Sequence, residues 1–224
     1  LVKEKELTRA RDRLNEARRA LPWEEVTKDY IFDAPSGPKS LKELFGDCSQ
    51  LIVYHFMLAP DWEEGCVGCS FFADHVDGAL IHLKHGDAGF VAVSRAPLEK
   101  IEGYKNRMGW KFPWVSAAGT DFNYDYQASF RDEDMASGEI TYNYRDMAPY
   151  GDLKDLHGIS VFAKGEDGKI YHTYSTYARG AEQTLGTLML LDLVPKGRNE
   201  EGVMDWVRRH DQYEDAPKAA SCCH

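Results

Sequence analysis

The sequence lacks any apolar run long enough to cross a bilayer; the longest, over 51–57, is strand-sized and interrupted by His55. It has no signal-peptide pattern at its start, so the expected location is cytoplasmic and away from membranes. It has no positive excess: 27 Lys plus Arg against 37 Asp plus Glu give a formal net charge of −10. Non-specific binding to nucleic acid or to an anionic membrane is therefore disfavoured. The one dense basic stretch, over 3–19, is interleaved with Glu4, Glu6, Asp12 and Glu16 and reads as a solvated helix face. Internal repeats and low-complexity blocks are missing. The spacing of a disulfide scaffold is missing too: the five cysteines are an odd number, with Cys66 and Cys69 paired, Cys222 and Cys223 adjacent, and Cys48 alone. That usage fits a reducing compartment.

What is present supports a real core. Hydrophobic residues make up 43% of the chain, with 12 Tyr and 10 Phe. Residues 2–21 form a helix by composition, ended by Pro22, with Leu7, Leu14, Ala17 and Leu21 on one stripe. That stripe either packs on its own domain or serves as a homo-oligomer arm. Residues 30–33 predict a short strand, and Ser40 caps a short helix over 41–45. Residues 50–57 are the strongest buried strand. Cys66 opens a helical stretch to about His85, followed by a strand over 89–94, a helix over 98–107 with Pro97 in its first turn, and a strand over 112–116. The Tyr-rich stretch 117–156 reads as an insertion with short strands near 139–144. Residues 159–164 and 169–174 flank Gly165-Glu166-Asp167-Gly168, a hairpin signal. A helix over 182–193 and a helical turn over 206–210 complete the pattern. The expected organisation is a helical extension (1–22), a main domain (23–213) with an insertion about 117–156, and a mobile tail (214–224). A strand, Cys-x-x-Cys at a helix start, strand, helix, hairpin and helix together predict an α/β, three-layer thioredoxin-like fold.

Cys66 at a helix N-terminus is placed for thiolate formation, because unpaired N–H groups and the helix dipole favour negative charge there. Cys69 lies one turn on and is the expected buried, resolving thiol. Asp61, Glu63 and Glu64 precede the pair and should push the thiol pKa the other way. A single Cys-x-x-Cys can also be half a metal site. Its second half would come from Cys222, Cys223 and His224, or copper or zinc would sit on Cys66, Cys69 and His75. His82 and His85 share a helix with His75 and read as surface or capping residues. His55, inside an apolar strand, needs a partner. Arg95 follows the second strand at an edge where α/β proteins place ligands. Arg107, Arg179 and Arg198 are further pocket candidates or ion-pair partners. The aromatic segments 109–116 and 121–126 either wall a cavity near the dithiol or form a second small core. The expected substrate pocket is Trp62, Arg95, Trp110, Trp114, Asn123 and Tyr124.

The string Gln50-Leu51-Ile52-Val53-Tyr54-His55-Phe56-Met57, the motif Glu64-Gly65-Cys66-Val67-Gly68-Cys69-Ser70-Phe71 and Asp74 resemble the bacterial and fungal domain-of-unknown-function family 899. So do Ser94-Arg95-Ala96-Pro97, Arg107-Met108-Gly109-Trp110, Trp114-Val115-Ser116, Asp121-Phe122-Asn123-Tyr124-Asp125, Tyr171-His172-Thr173-Tyr174-Ser175 and Arg179-Gly180. Leu191-Asp192 and Gly197-Arg198 complete a likeness running from about Glu4 to Tyr213. The resemblance implies a thioredoxin-like fold, and members are often labelled dithiol–disulfide oxidoreductases. The sequence departs from working thioredoxins in carrying Cys-Val-Gly-Cys and in having Leu156-His157-Gly158, without proline, before the late strand.

Three functions follow. The first is a thiol–disulfide oxidoreductase in which Cys66 attacks a disulfide or peroxide-derived substrate and Cys69 resolves the intermediate, with no cofactor. The second is a copper- or zinc-binding small-molecule enzyme or binding protein. The third is a non-catalytic interaction module using the Trp and Tyr surfaces and the N-terminal helix.

Overall fold

The computed structural model describes residues 1–214. The rest of the expected tail, and with it the Cys222-Cys223-His224 half-site, lies outside the described residues.

Helix α1 spans Val2–Arg19. Strands β1 (Glu24–Glu25), β2 (Ile31–Phe32) and β3 (Lys39–Ser40) follow. Ser40 caps α2 (Leu41–Leu44) in a reciprocal box with Glu43. Then come β4 (Gln50–His55), α3 (Val67–Ala73), α4 (Leu80–His85), β5 (Ala88–Ser94), α5 (Leu98–Met108) and β6 (Trp114–Ser116). The next stretch carries α6 (Phe122–Asp125), α7 (Asp132–Ser137) and a hairpin of β7 (Ile140–Tyr142) and β8 (Arg145–Met147). Strands β9 (Gly158–Lys164) and β10 (Ile170–Tyr177) and helix α8 (Gly186–Leu191) complete the order.

The main sheet runs β1-β10-β9-β4-β5-β6. Strands β4, β5 and β6 are parallel, while β9 is antiparallel to both β4 and β10. Its inner four strands, β10-β9-β4-β5, join a helical crossover to a closing hairpin, which is the thioredoxin-like arrangement; β1 and β6 are added at the edges.

Side chains alternate along β4, and the alternation decides the chemistry of each face. Leu51 and Val53 enter a core with Phe32, Phe45 and Phe122, and His55 stacks on Phe122 from the same side. Ile52 and Tyr54 face the opposite core, built with Cys69, Phe72, Tyr104 and Trp114. Fully buried Phe and Leu side chains such as Phe32, Phe122 and Leu51 contribute about 1.5–3 kcal/mol each.

Several elements differ from expectation. The stretch from Cys66 to His85 is not one helix: α3 ends at Ala73, a 3-10 turn covers Asp77–Ala79, and α4 begins at Leu80. Tertiary partners draw the chain away there. Asp74 accepts from Trp110 Nε1 at 2.8 Å, and Asp77 accepts from the backbone N–H groups of Lys111 and Phe112. Pro97 is the N-cap of α5 rather than a residue of its first turn, and Gly109 ends the helix at φ +70°. The expected helix over 182–193 is shortened, because a 3-10 segment, Ala178–Thr184, occupies its start. Helix α1 buries no residue, and Leu7 and Leu14 on it and Leu21 just beyond it are 61%, 55% and 44% exposed, so the leucine stripe does not pack on the domain; Arg18 over the Tyr174 ring is a contact α1 does make. Among the described residues, no helix is long and apolar enough to cross a membrane.

Candidate thiol site

Cys66 is the N-cap of α3, reached by a loop from the end of β4. Its N–H donates to Met57 O at 3.0 Å, and its carbonyl accepts from Ser70 N at 2.9 Å and Ser70 Oγ at 2.8 Å. Arg209 Nε donates to Tyr104 Oη at 2.9 Å, and Tyr104 lies 2.8 Å from Ser70 Oγ. Since the Ser70 proton goes to Cys66 O, the Tyr104 hydroxyl donates to Ser70. Arg209 also donates to Gly65 O through Nη2 at 2.6 Å. A Cβ on Gly65 would lie 2.6 Å from both Phe56 and Tyr104 rings, so the loop passes where only glycine fits.

The two sulfurs are free thiols with opposite environments. Cys69 is buried and Cys66 is half-buried. A hydrogen bond from Cys69, then the backbone N–H groups of Cys69 and Gly68 and the charge of Arg209, pull the Cys66 pKa down to about 6 against the cost of burial. Burial, together with the negative charge and hydrogen bond at Cys66, pushes the Cys69 thiol well up. Met57 N–H, 3.5 Å from Cys69 Sγ, and the Tyr54 hydroxyl favour its thiolate in part. Burial keeps the Tyr54 phenol protonated and so able to donate.

The acidic residues before Cys66 do not act as expected. Glu64 is held between Arg107, which binds it closely, and Arg209, 2.9 Å away, so its charge is neutralised locally. Glu63 is 93% exposed and turned toward Lys100. Arg209, 143 positions from Cys66, is the charge that lowers the Cys66 pKa instead. Nothing local in the sequence marks Arg209, Tyr104 or Tyr54 for this role; the contacts exist only across the folded loop.

Both thiols line a cavity of about 220 Å³ with largely apolar walls, among them Tyr54, Phe72, Leu185, Leu188 and Met204. His157 also lines it, pushed toward the neutral form by burial while bonded to Ala178 O at 3.2 Å. Arg179 and Arg198, both expected as pocket candidates, do line it, paired with Glu182 at 2.7 and 2.6 Å.

None of the six residues expected to form the substrate pocket lines this cavity. Trp62 packs on the core edge, its carbonyl accepting from Lys100 at 2.8 Å. Trp110 and Trp114 are core residues, with indole N–H groups donating to Asp74 and to Ser94 Oγ. Arg95 forks onto Asp155 at 2.7 and 3.2 Å and reaches Tyr124 Oη at 3.0 Å, lining a separate cavity. Asn123 is buried beside His55. The aromatic segments therefore build core and a different cavity, because β6 carries them to the far edge of the sheet. His75 is not placed for a metal either. Its Nδ1 lies 2.7 Å from Phe71 O and its Nε2 lies 2.8 Å from Thr187 Oγ1 and accepts from Thr187 N at 3.1 Å, tying α3 to α8. Among the described residues, no group of three ligating side chains could hold a metal ion.

On the other face, His55 is buried, with Nδ1 3.0 Å from Asn123 Oδ1 and Nε2 2.9 Å from Ser160 Oγ. Ser160 Oγ lies 2.8 Å from Ser175 Oγ, and Ser175 Oγ lies 2.7 Å from His172 Nε2. Burial depresses the His55 pKa to about 4 and lowers that of His172. The partner His55 required is thus a four-residue polar chain.

The sheet order and a Cys-x-x-Cys opening the helix after the central strand place the protein in the class of thioredoxin-like α/β proteins. The chain belongs to the DUF899 family, described as bacterial protein of unknown function, whose pattern matches residues 1–213. No curated protein matches it. Similar solved structures include the peroxidoxin BcpB from Mycobacterium tuberculosis, at 16% identity and a TM-score of 0.48 over 76% of this chain and 97% of that one. Xanthomonas campestris peroxiredoxin Q (structure F4) has 14% identity and a TM-score of 0.47 over 77% and 98%. A yeast mitochondrial 1-Cys peroxiredoxin has 13% identity and a TM-score of 0.45 over 77% and 78%.

Proposed function

We propose that the protein is a thiol–disulfide oxidoreductase whose working group is the Cys66–Cys69 dithiol. The observation that carries this is the opposite displacement of the two thiols, with Cys66 lowered to about 6 and Cys69 raised, at the mouth and floor of one cavity. At neutral pH Cys66 is mostly thiolate, the attacking species in exchange. It attacks one sulfur of a disulfide, forming a mixed disulfide and releasing the other half as a thiolate that takes a proton from water. Cys69 then loses its proton, attacks Cys66 Sγ and frees the second thiol. The substrate gains two electrons and two protons, and the protein is left with a Cys66–Cys69 disulfide. An external thiol returns it to the dithiol.

The apolar walls favour a small uncharged disulfide over a protein loop or a highly charged peptide. In a single-turnover reaction of the reduced protein with bis(2-hydroxyethyl) disulfide, Cys66→Ser should lose at least about 100-fold in rate. Cys69→Ser should stop at a mixed disulfide visible by mass. A Cys66→Ser protein reacting at the normal rate would remove the basis of the reading.

A further inference from the structure

The face of the sheet opposite the thiols holds a cavity of about 330 Å³ between β1, β10 and the segment around α6. The aromatic stretch over 121–126 walls this cavity, through Asp125 and Tyr126, and not the thiol cavity. Its floor includes His172 and Ser175, the outer end of the His55 chain.

That chain has a fixed direction. Asn123 Oδ1 can only accept, so His55 carries its proton on Nδ1 and accepts at Nε2. Ser160 must then donate to His55, Ser175 to Ser160, and His172 Nε2–H to Ser175. Every proton points inward. Neutral His172, whose ring also meets the Tyr174 backbone, has no second proton, so the cavity end of the chain offers no further donor. Three of the four phenols lining the cavity are committed in the same sense. Tyr30 donates to Asp125 at 2.7 Å, Tyr144 to Ser175 O at 2.8 Å, and Tyr177 to Tyr126 O at 2.7 Å. These three present ring surface rather than O–H groups, while the Tyr126 phenol, kept protonated by burial, feels the charge of Glu24.

Charge runs the same way. Glu24, Glu25 and Asp125 line the cavity against one cation, Lys28, whose ammonium is already 2.8 Å from both Asp121 and Asp125. Glu25 is paired with Lys169, which leaves Glu24, directly across from His172 in the β1–β10 register, with no ion-pair partner among the described residues. Gln127, on the same lining, is held at φ +53° and keeps a buried Oε1 without a hydrogen-bond partner. Acceptors, aromatic rings and surplus carboxylate in one cavity are suited to a ligand that brings positive charge and donors. The aromatic rings on its walls suit an organic cation.

We propose that this cavity is a second binding site, independent of the thiols, for a small organic cation bearing N–H donors, such as a protonated amine. Calorimetric titration of the full chain near pH 7.5 with benzylamine, benzyl alcohol and benzyltrimethylammonium separates charge from hydrogen bonding. Benzylammonium should bind saturably and at least about tenfold more tightly than either other probe. Glu24→Gln, an exposed change, should weaken it about fivefold or more while leaving the rate of Cys66 alkylation unchanged. No saturation with about 10 mM benzylamine, equal binding of the alcohol, or an unaffected Glu24→Gln protein would overturn the proposal.

Discussion

Tyr54 and His55 are neighbours on β4, yet they belong to two different chemistries. Tyr54 faces the dithiol, bonding Cys69 beside a half-buried Cys66 whose charge is stabilised by hydrogen bonds and a guanidinium. His55 faces a chain of neutral groups. One step along a strand turns the side chain to the other face, so a single strand supports both. The thiol face keeps a charged species by supplying donors; on the other face the chain around His55 pairs both its ring nitrogens and keeps it neutral. The lesson is that burial alone does not set the state of an ionisable group. What surrounds it decides whether charge is kept or expelled.

The largest effect that tests this contrast is acid destabilisation through the histidine face. An unfolded imidazole takes up a proton near pH 6.5, whereas folded His55 does so near about 4. Between those values the unfolded chain binds more protons, so stability falls as pH drops through the window, by about 3 kcal/mol if His55 acts alone. Urea midpoints measured across that range should show the loss, and His55→Gln should flatten it. A profile unchanged by His55→Gln would mean the buried chain does not exclude charge.

A smaller effect sharpens the thiol side. The Cys69 hydrogen bond is the leading cause of the lowered Cys66 pKa, so Cys69→Ala should move the midpoint of Cys66 alkylation upward from about 6 by about one unit or more. The pH dependence of the iodoacetamide rate reads this directly. A midpoint that stays put would transfer the role to the backbone N–H groups and Arg209.

The smallest effect concerns a segment that joins neither face. Removing residues 1–19 takes away an element with no buried residue, and Arg18 over Tyr174, 4.7 Å from the ring centre, is its one cation–π contact among the described residues. The urea midpoint should correspond to a change below about 0.5 kcal/mol. A larger loss would show that α1 shields part of the sheet.

Much of the fold was legible because its signals are local. The run Gln50 to His55 alternates around an apolar centre, Ser40 and Glu43 form a capping box, and Gly165 to Gly168 carries a turn with Gly168 at φ +77°. The Cys66–Cys69 spacing at a helix start was equally readable. The pocket was not. Trp110, Trp114 and Asn123 look like lining residues by type, but aromatic and amide groups serve a core as well as a cavity, and only packing separates the two.

The sequence by itself determined the central strands, the closing hairpin and the proximity of the two thiols, since these depend on residues within a few positions of one another. Tertiary structure decided the electrostatics that act between remote segments. It brought Arg209 to Glu64 and Gly65, turned His75 to Thr187, and set Ser160 against His55 across a separation of 105 positions. Coulomb and hydrogen-bond energies depend on distance in space, and distance in space between remote segments is fixed only when the sheet closes.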